Sequence, residues 1–366
     1  MTVATRDGTW AYRSRFGDAY GRTYFRRFGP GVVSSVGMGT YLGDPTAAVD
    51  ERYRAALVEG VESGGNHVDT AVNYRCGRSE RVVGRALSAA DVSREAVTVA
   101  TKGGFVPFDG ERPADPGAYV RREFVDPGLV SPEDLAHGSH AMTPRFLDAM
   151  LDRSLAALGV ETVDCYYVHN PETQLAIRSE AAVYDLLEAA FARLEERRTA
   201  GDLSAYGVAT WEAFRVPPGN DAHLSLPTVV ERARRAAERA GRDAGDHGLR
   251  AIQLPFNARM AGAFTADVHE DGGERLSALS YADRVGLDVF ASAALGQGAL
   301  ADTLPRAVAE TAAGDTPAQK AINFARSAPA VTAALVGCGR SEHVRENLAA
   351  GTFDPLGARA FDETFA

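Results

Sequence analysis

Short apolar runs alternate with amphipathic stretches along most of this chain. The apolar runs predict strands at 32–37, after a hairpin-like start, and at 66–69, 97–101, 163–168, 203–208, 249–253, 287–291 and 331–336. The amphipathic stretches predict helices at 48–63, 77–89, 144–158, 180–199, 228–240, 274–285, 317–327 and 341–349. Eight strand-then-helix units of this kind predict an α/β fold, a single-domain (β/α)8 TIM barrel rather than two doubly wound domains.

The first 30 residues lie outside this alternation. Residues 1–30 form an N-terminal extension rich in tyrosine, phenylalanine and arginine, and residues 31–366 form the predicted barrel. We expect the extension to plug the bottom of the barrel or to contact a partner chain.

A second irregular region, residues 103–143, separates the third strand from its helix. Connections longer than about 12–15 residues are uncommon in compact domains unless they are functional. This one carries the aromatic side chains of Phe105, Phe108, Tyr119 and Phe124. We therefore expect an inserted lid loop or a wall over a substrate pocket. An ordered surface flap or a subunit contact is the alternative.

Composition narrows the class of protein. The 366 residues are 45% hydrophobic and 24% charged, so the chain can bury a large core. A net charge of −10 with scattered arginines argues against a nucleic-acid partner. Three widely spaced cysteines favour a reducing compartment, and a lone HxxH at 137–140 is a poor metal site, so we expect no metal. Without a membrane-length apolar run or a signal-peptide pattern, we expect a cytoplasmic protein with no membrane contact.

Polar side chains end several of the predicted strands. Asp69, Lys102 and His169 end the second, third and fourth strands, and Tyr74 follows Asp69 by five residues. On a barrel these residues face one mouth. A phenol has a pKa near ~10 and can donate a proton at neutral pH, and a nearby ammonium lowers that pKa. A carboxylate that pairs with the lysine offsets the cost of burying its charge.

Lysine is rare in this chain. Of 39 basic residues, only Lys102 and Lys320 are lysines. An ammonium is compact and its pKa can be tuned, whereas a guanidinium stays protonated and spreads its charge. We infer that Lys102 is present because arginine could not replace it.

Ordered motifs then suggest a family. They are Asp69-Thr70-Ala71-x-x-Tyr74, Gly77-x-Ser79-Glu80-x-x-Val83-Gly84-x-Ala86-Leu87, Thr101-Lys102, Asp164-x-x-Tyr167-x-His169, Gln253-Leu254-Pro255-Phe256-Asn257, Ala294-Leu295-Gly296-Gln297-Gly298, and Val336-Gly337 through Glu346-Asn347-Leu348. With these motifs the chain resembles the aldo-keto reductases, in which an Asp, Tyr, Lys, His tetrad lies on successive strands of a (β/α)8 barrel. The resemblance extends over about 33–350.

The resemblance implies an NAD(P)H-dependent oxidoreductase. It would reduce an aldehyde or ketone, or oxidise the corresponding alcohol or sugar, with Tyr74 as general acid/base. Lys102 would depress the pKa of Tyr74, Asp69 would hold Lys102, and His169 would orient the carbonyl. The implied cofactor is NADPH, with NADH possible, bound by Gly39, Thr40, Thr210, Gln253, Ser292, Leu295, Gly296, Gly298, Arg340, His343, Glu346 and Asn347. The implied substrate pocket comprises Tyr41, Phe105, Asn170 and Trp211.

Some positions depart from the family pattern. Ala209-Thr210 replaces a Ser-Asn pair that holds the carboxamide, and Ser292 replaces an aromatic that stacks on the nicotinamide. Phe256 or Trp211 could reshape the pocket instead. Gly337 and His343 stand where basic residues usually clamp the 2′-phosphate.

These departures keep two other functions open. One is a lyase or isomerase that retains the tetrad without net hydride transfer, and the other is a non-catalytic cofactor-sensing module. The expected partner is a small carbonyl or alcohol, and the chain is a monomer or a homo-oligomer.

Overall fold

Twelve strands appear in the computed structural model, which describes residues 3–365. They are β1 (Phe25–Phe28), β2 (Gly31–Ser34), β3 (Val36–Gly39), β4 (His67–Asp69), β5 (Thr98–Gly103), β6 (Val163–His169), β7 (Leu203–Ala209), β8 (Leu249–Pro255), β9 (His269–Asp271), β10 (Glu274–Leu276), β11 (Asp288–Ser292) and β12 (Val331–Gly337). Eight of them close into a barrel in the order β11-β12-β3-β4-β5-β6-β7-β8, with every neighbouring pair parallel. The (β/α)8 prediction is confirmed.

Helices connect the strands and cover the outside of the barrel. They are α1 (Arg6–Phe16), α2 (Ala47–Glu62), α3 (Arg78–Ala89), α4 (Pro116–Val120), α5 (Pro144–Leu158), α6 (Glu180–Ala200), α7 (Leu226–Arg239), α8 (Gly262–Thr265), α9 (Ala278–Val285), α10 (Ala299–Asp302), α11 (Arg306–Thr311), α12 (Pro317–Ser327), α13 (Ser341–Ala349) and α14 (Ala358–Asp362). Among the residues described, no helix is long and apolar enough to cross a membrane.

Two predicted elements are divided differently in the structure. The run 32–37 is not one strand, because the chain leaves the β1–β2 hairpin at Ser34 and begins the barrel strand β3 at Val36. The predicted helix 274–285 begins with a strand, since β10 pairs with β9 and the helix starts only after the Ser277 side chain accepts from the backbone N–H of Ser280.

The N-terminal extension closes the bottom of the barrel. The Phe28 ring lies edge-on to Phe290 with ring centroids 5.2 Å apart, inside the barrel. Val32 donates its backbone N–H to Thr9 of α1 at 3.2 Å, which ties the hairpin to the first helix. These contacts agree with the expectation that residues 1–30 close the bottom of the barrel.

The insertion between β5 and α5 has a small apolar core of its own. Val106, Val120, Phe124 and Val130 are buried there against Phe146 of α5. Phe108 and Tyr119 pack against each other, with ring centroids 5.5 Å apart. Phe105 is the aromatic of this segment that lines the cavity described below. The insertion therefore contributes Phe105 to the wall of the cavity, and Phe108, Tyr119 and Phe124 lie outside the cavity lining.

Candidate active site

A cavity of about 800 Å³ opens at the carboxyl ends of the barrel strands. It lies near the upper end of the size range of small-molecule sites. Two of the residues expected in the site do not line it: Lys102 lies buried behind Asp69, and Gly296 lies in the adjacent turn. The other expected residues all line it: Gly39, Thr40, Tyr41, Asp69, Tyr74, Phe105, His169, Asn170, Thr210, Trp211, Gln253, Ser292, Leu295, Gly298, Arg340, His343, Glu346 and Asn347.

A buried ion pair lies at the floor of this cavity. Lys102 is completely buried, and its Nζ donates to Asp69 Oδ1 at 2.5 Å and to the Thr70 carbonyl at 2.8 Å. The two residues meet because β4 and β5 are adjacent parallel strands. Burial alone would lower the pKa of Lys102, but Asp69 and Tyr74 outweigh that effect and the pKa is raised. The lysine is therefore held as an ammonium ion.

Tyr74 lies above this pair. Lys102 Nζ is 4.9 Å from the centroid of its ring, and the Tyr74 and His169 rings meet edge to face with centroids 5.9 Å apart. Burial raises the pKa of Tyr74, and the opposing effect of Lys102 is smaller. Lys102 does lower the pKa of Tyr74, as expected, but burial raises this pKa by more. The phenol therefore keeps its proton at neutral pH.

His169 is a neutral imidazole at the end of β6. Burial, together with the nearby positive charge of Lys102, lowers its pKa well below the usual value. Within the described residues its Nδ1 is buried without a hydrogen-bond partner. A neutral ring can donate one hydrogen bond and accept another, which suits it to orient a polar atom in the cavity.

Two side chains beside the ion pair fit the amide of a nicotinamide. Gln253 donates from Nε2 to Asp69 Oδ2 at 2.8 Å, so its carbonyl oxygen remains to accept a hydrogen bond. The Thr210 hydroxyl is buried and has no partner among the described residues. Buried polar groups normally have a partner, and an amide bound here would provide one.

Charged side chains gather at the opposite end of the cavity. Arg340 precedes α13, and His343 lies in its first turn. Arg52 of α2 also lines this end, although no spacing or motif in the sequence marks it. Asn347 donates to the Gly337 carbonyl at 3.2 Å, and Glu346 accepts from the Thr316 hydroxyl at 2.6 Å. The two arginines at this end suit an anionic ligand group.

Of the two aromatic residues expected to reshape the pocket, Phe256 does not line the cavity. Phe256 is buried behind the cavity against Phe324 and Phe361, with centroids 5.9 and 6.3 Å away. Trp211 lines the cavity. Its backbone N–H donates to Glu172 Oε1 at 2.7 Å, which anchors the loop after β7.

The turn after Tyr74 depends on an ionic contact from α2. Arg75 and Cys76 have φ of 50° and 57°, a left-handed conformation that is uncommon outside glycine. Arg75 donates to Asp50 Oδ1 at 2.5 Å, and Arg78 donates to Asp50 Oδ2 at 2.9 Å. Burial alone would raise the pKa of Asp50, but these hydrogen bonds outweigh it and the pKa is lowered. Sequence reasoning missed Asp50 because it lies on an ordinary amphipathic helix.

A closed parallel barrel with a long cleft at the carboxyl ends of its strands is an enzyme architecture. The model of the aldo/keto reductase family matches residues 35–217, half of the chain. No curated protein matches the chain. The chain belongs to the aldo/keto reductase family and is an oxidoreductase.

Solved structures agree with this fold. An aldo/keto reductase from Klebsiella pneumoniae in complex with NADP and acetate is 20% identical, with a TM-score of 0.59 over 93% of this chain and 94% of that one. A glycerol dehydrogenase from Gluconobacter oxydans is 20% identical, with a TM-score of 0.63 over 94% and 96%. The aldo-keto reductase from Bacillus halodurans, in its holo form, is 17% identical, with a TM-score of 0.61 over 94% and 96%.

We expect Asp50→Asn to destabilise the protein by about 3 kcal/mol, because it leaves the buried Arg75 charge without its counter-ion. Urea unfolding at pH 7 measures this. The pKa of Asp50 is lowered by folding, so its contribution is present above the unfolded pKa of about 4 and is lost as the pH falls through the folded value. The difference between wild type and variant should therefore shrink below about pH 4.

Glu51→Gln is the matched control. Glu51 is the next residue of α2 and pairs with Arg54 at an exposed position. Exposed ion pairs contribute little to stability, because solvent screens them. Equal losses in the two variants would contradict a special role for Asp50.

Proposed function

We propose that this protein reduces an aldehyde or ketone to the alcohol with NADPH as hydride donor, and that Tyr74 is the general acid. The observation that carries the proposal is the buried Asp69–Lys102 ion pair beneath Tyr74 at the floor of the cleft. An isolated buried lysine would be strongly destabilising, so its retention next to a phenol supports a chemical role.

The cleft also supports the choice of cofactor. At one end, Gln253 and Thr210 offer an acceptor and a hydroxyl to the carboxamide. At the other end, Arg52, Arg340 and His343 offer positive or protonatable groups to the adenosine 2′-phosphate. Two of the solved relatives, both from Klebsiella pneumoniae, were crystallised with NADP or NADPH. These features favour NADPH over NADH.

When bound, the nicotinamide supplies the hydride for the carbonyl carbon. The Tyr74 hydroxyl then gives its proton to the carbonyl oxygen, and Lys102 stabilises the phenolate that remains. His169, being neutral, can donate a hydrogen bond to the same oxygen and orient it. In the oxidative direction Tyr74 accepts the proton from the alcohol.

The rim of the cleft favours an apolar substrate. Tyr41, Leu42 and Trp211 are 55%, 45% and 40% exposed, and all three line the cavity, as Phe105 does. Exposed apolar side chains that cluster at an opening mark ligand-binding surfaces. Lys102, the lysine at this end, is buried and paired with Asp69, which leaves no free cation here to hold a carboxylate or phosphate among the described residues. We therefore propose neutral aryl or long-chain aldehydes and ketones as the substrate class.

Tyr74→Phe tests the proposed acid. We expect the rate of carbonyl reduction to fall by about 10²- to 10⁴-fold, because the proton donor is lost. Fluorescence titration should show unchanged NADPH binding, and NADH should bind more weakly to both proteins. Tyr119→Phe, which removes a hydroxyl from the insertion, serves as the control. Undiminished turnover would remove Tyr74 as the acid, and failure of wild type to bind either nucleotide would contradict a redox function.

Lys102→Arg tests whether the lysine is required as a lysine. The larger guanidinium cannot occupy the same completely buried position beside Asp69, so we expect at least about a 10²-fold loss of turnover. Lys320→Arg changes the other lysine of the chain, whose Nζ donates to the Ala309 carbonyl at 2.6 Å, and should keep full activity. An active Lys102→Arg enzyme would refute the argument from lysine scarcity.

Trp211→Ala tests the apolar rim. For an aryl aldehyde we expect kcat/KM to fall by about tenfold or more, and for a triose we expect little change, because only the larger substrate reaches the indole. Ile177→Ala is the matched control, since Ile177 is 44% exposed but does not line the cavity. A wild-type preference for carboxylated or phosphorylated carbonyls would overturn the proposed substrate class.

A further inference from the structure

The insertion is attached to the strand that carries His169. Its two ends pair with each other, since Val106 donates its N–H to the Ser139 carbonyl and Ala141 donates to the Gly104 carbonyl, both at 2.8 Å. This pairing brings His140 beside the end of β6. There the His140 Nε2 lies 2.7 Å from the carbonyl oxygen of His169.

The partners of His140 determine which ring nitrogen carries the proton. Arg178 Nε can only donate, so the Gln174 atom 3.1 Å from it is the amide oxygen. The Gln174 amide nitrogen then faces the ring, 3.0 Å from Nδ1, and also lies within reach of the His140 and Asp134 carbonyls. The His169 carbonyl can only accept, so Nε2 of the neutral ring carries the proton and donates to it, and Nδ1 is left as an acceptor. Burial lowers the pKa of His140 to about 4, which agrees with a neutral ring.

Gln174 is itself held in place. It donates to the His140 carbonyl at 2.8 Å, and its neighbour Arg178 forms an ion pair with Asp134 of the insertion. Several hydrogen bonds thus join His140 and Asp134 of the insertion to Gln174 and Arg178, which follow β6. Because every member has a partner, the orientation of His140 is well defined.

The space around His169 leaves little freedom. The Phe105 ring meets both His140 and His169 edge to face, with centroids 4.8 and 5.0 Å away. A Cβ at Gly104, where φ is +152°, would lie 2.6 Å from the His169 carbonyl oxygen and 3.1 Å from His140 Nε2. Glycine at this position therefore permits the close approach of the two histidines.

His169 depends on these contacts because its own ring is poorly anchored. Its Nδ1 is buried and has no hydrogen-bond partner among the described residues. Functional histidines usually have their orientation set by a hydrogen bond to the second ring nitrogen. Here the backbone and the surrounding rings must set it instead.

We propose that His140 is a positioning residue for His169, and that the insertion acts on catalysis through the Nε2–H bond to the His169 carbonyl. This inference rests on the proposed function, in which His169 orients the substrate carbonyl. It assigns the insertion a role beyond forming a wall of the cleft. Removal of the bond would let the end of β6 relax and would displace the imidazole from its productive position.

The test is a double-mutant cycle in the full chain, with NADPH and an aryl aldehyde. We expect His140→Leu to lower kcat by about 10- to 100-fold, because displacements near 1 Å cost about that much. The Kd for NADPH should change less than about twofold, since His140 does not line the cleft. His140→Gln, whose amide can donate at a similar reach, should recover part of the rate. In a His169→Ala background, His140→Leu should have no further effect.

Val130→Ala is the matched control for loosening of the insertion. Val130 is buried in the core of the insertion and lies outside the contacts of His169. We expect it to lower stability while it preserves kcat. Equal loss of kcat in Val130→Ala and His140→Leu, or losses that multiply in the double mutant, would overturn the proposal. Should His140→Leu fail to fold, His140→Phe, which keeps a ring but has no donor, replaces it in the cycle.

Failure of the proposed function gives a different result. In that case the wild-type protein reduces no carbonyl, and the proposed effect of His140 on catalysis is refuted together with the proposed function. If wild type is active and His140→Leu keeps full kcat, only the positioning role is refuted.

Discussion

The charge of Lys102 is the constraint on which the site depends. A lysine with no exposed surface would cost several kcal/mol if it were unpaired, so the barrel must supply acceptors for it. The adjacent strand β4 and the residue after it provide them, as the Asp69 carboxylate and the Thr70 carbonyl. The closed parallel barrel keeps these groups together without a flexible hinge. The cleft, with Tyr74 and His169 at its floor, is built over this pair.

Much of the fold could be predicted because each unit repeats one simple pattern. Helix 144–158 was predicted with its observed bounds, since Thr143 caps its first turn, Pro144 begins it and Gly159 ends it with φ of 65°. The four residues of the expected tetrad come together for a similar reason. Three of them end parallel strands, and parallel strands present their carboxyl ends at one mouth.

What could not be predicted depends on contacts between loops. Asp50 belongs to a helix with no unusual feature, and its importance appears only when the turn after Tyr74 folds against it. His140 looked like half of a weak metal motif, yet the structure buries it against His169, and no cluster of three metal ligands occurs in the described residues. Hairpin β9–β10 replaced the start of a predicted helix because tertiary pairing outweighed local periodicity.

The two carboxylate oxygens of Asp69 accept hydrogen bonds from different side chains. Oδ1 accepts from the ammonium of Lys102, and Oδ2 accepts from the amide of Gln253, which faces the cleft. One carboxylate therefore connects the ammonium of Lys102 to a side chain that lines the cleft. Linkage between two sites is reciprocal, so any change that a ligand imposes on the charge of this pair must return as a pH dependence of that ligand's affinity.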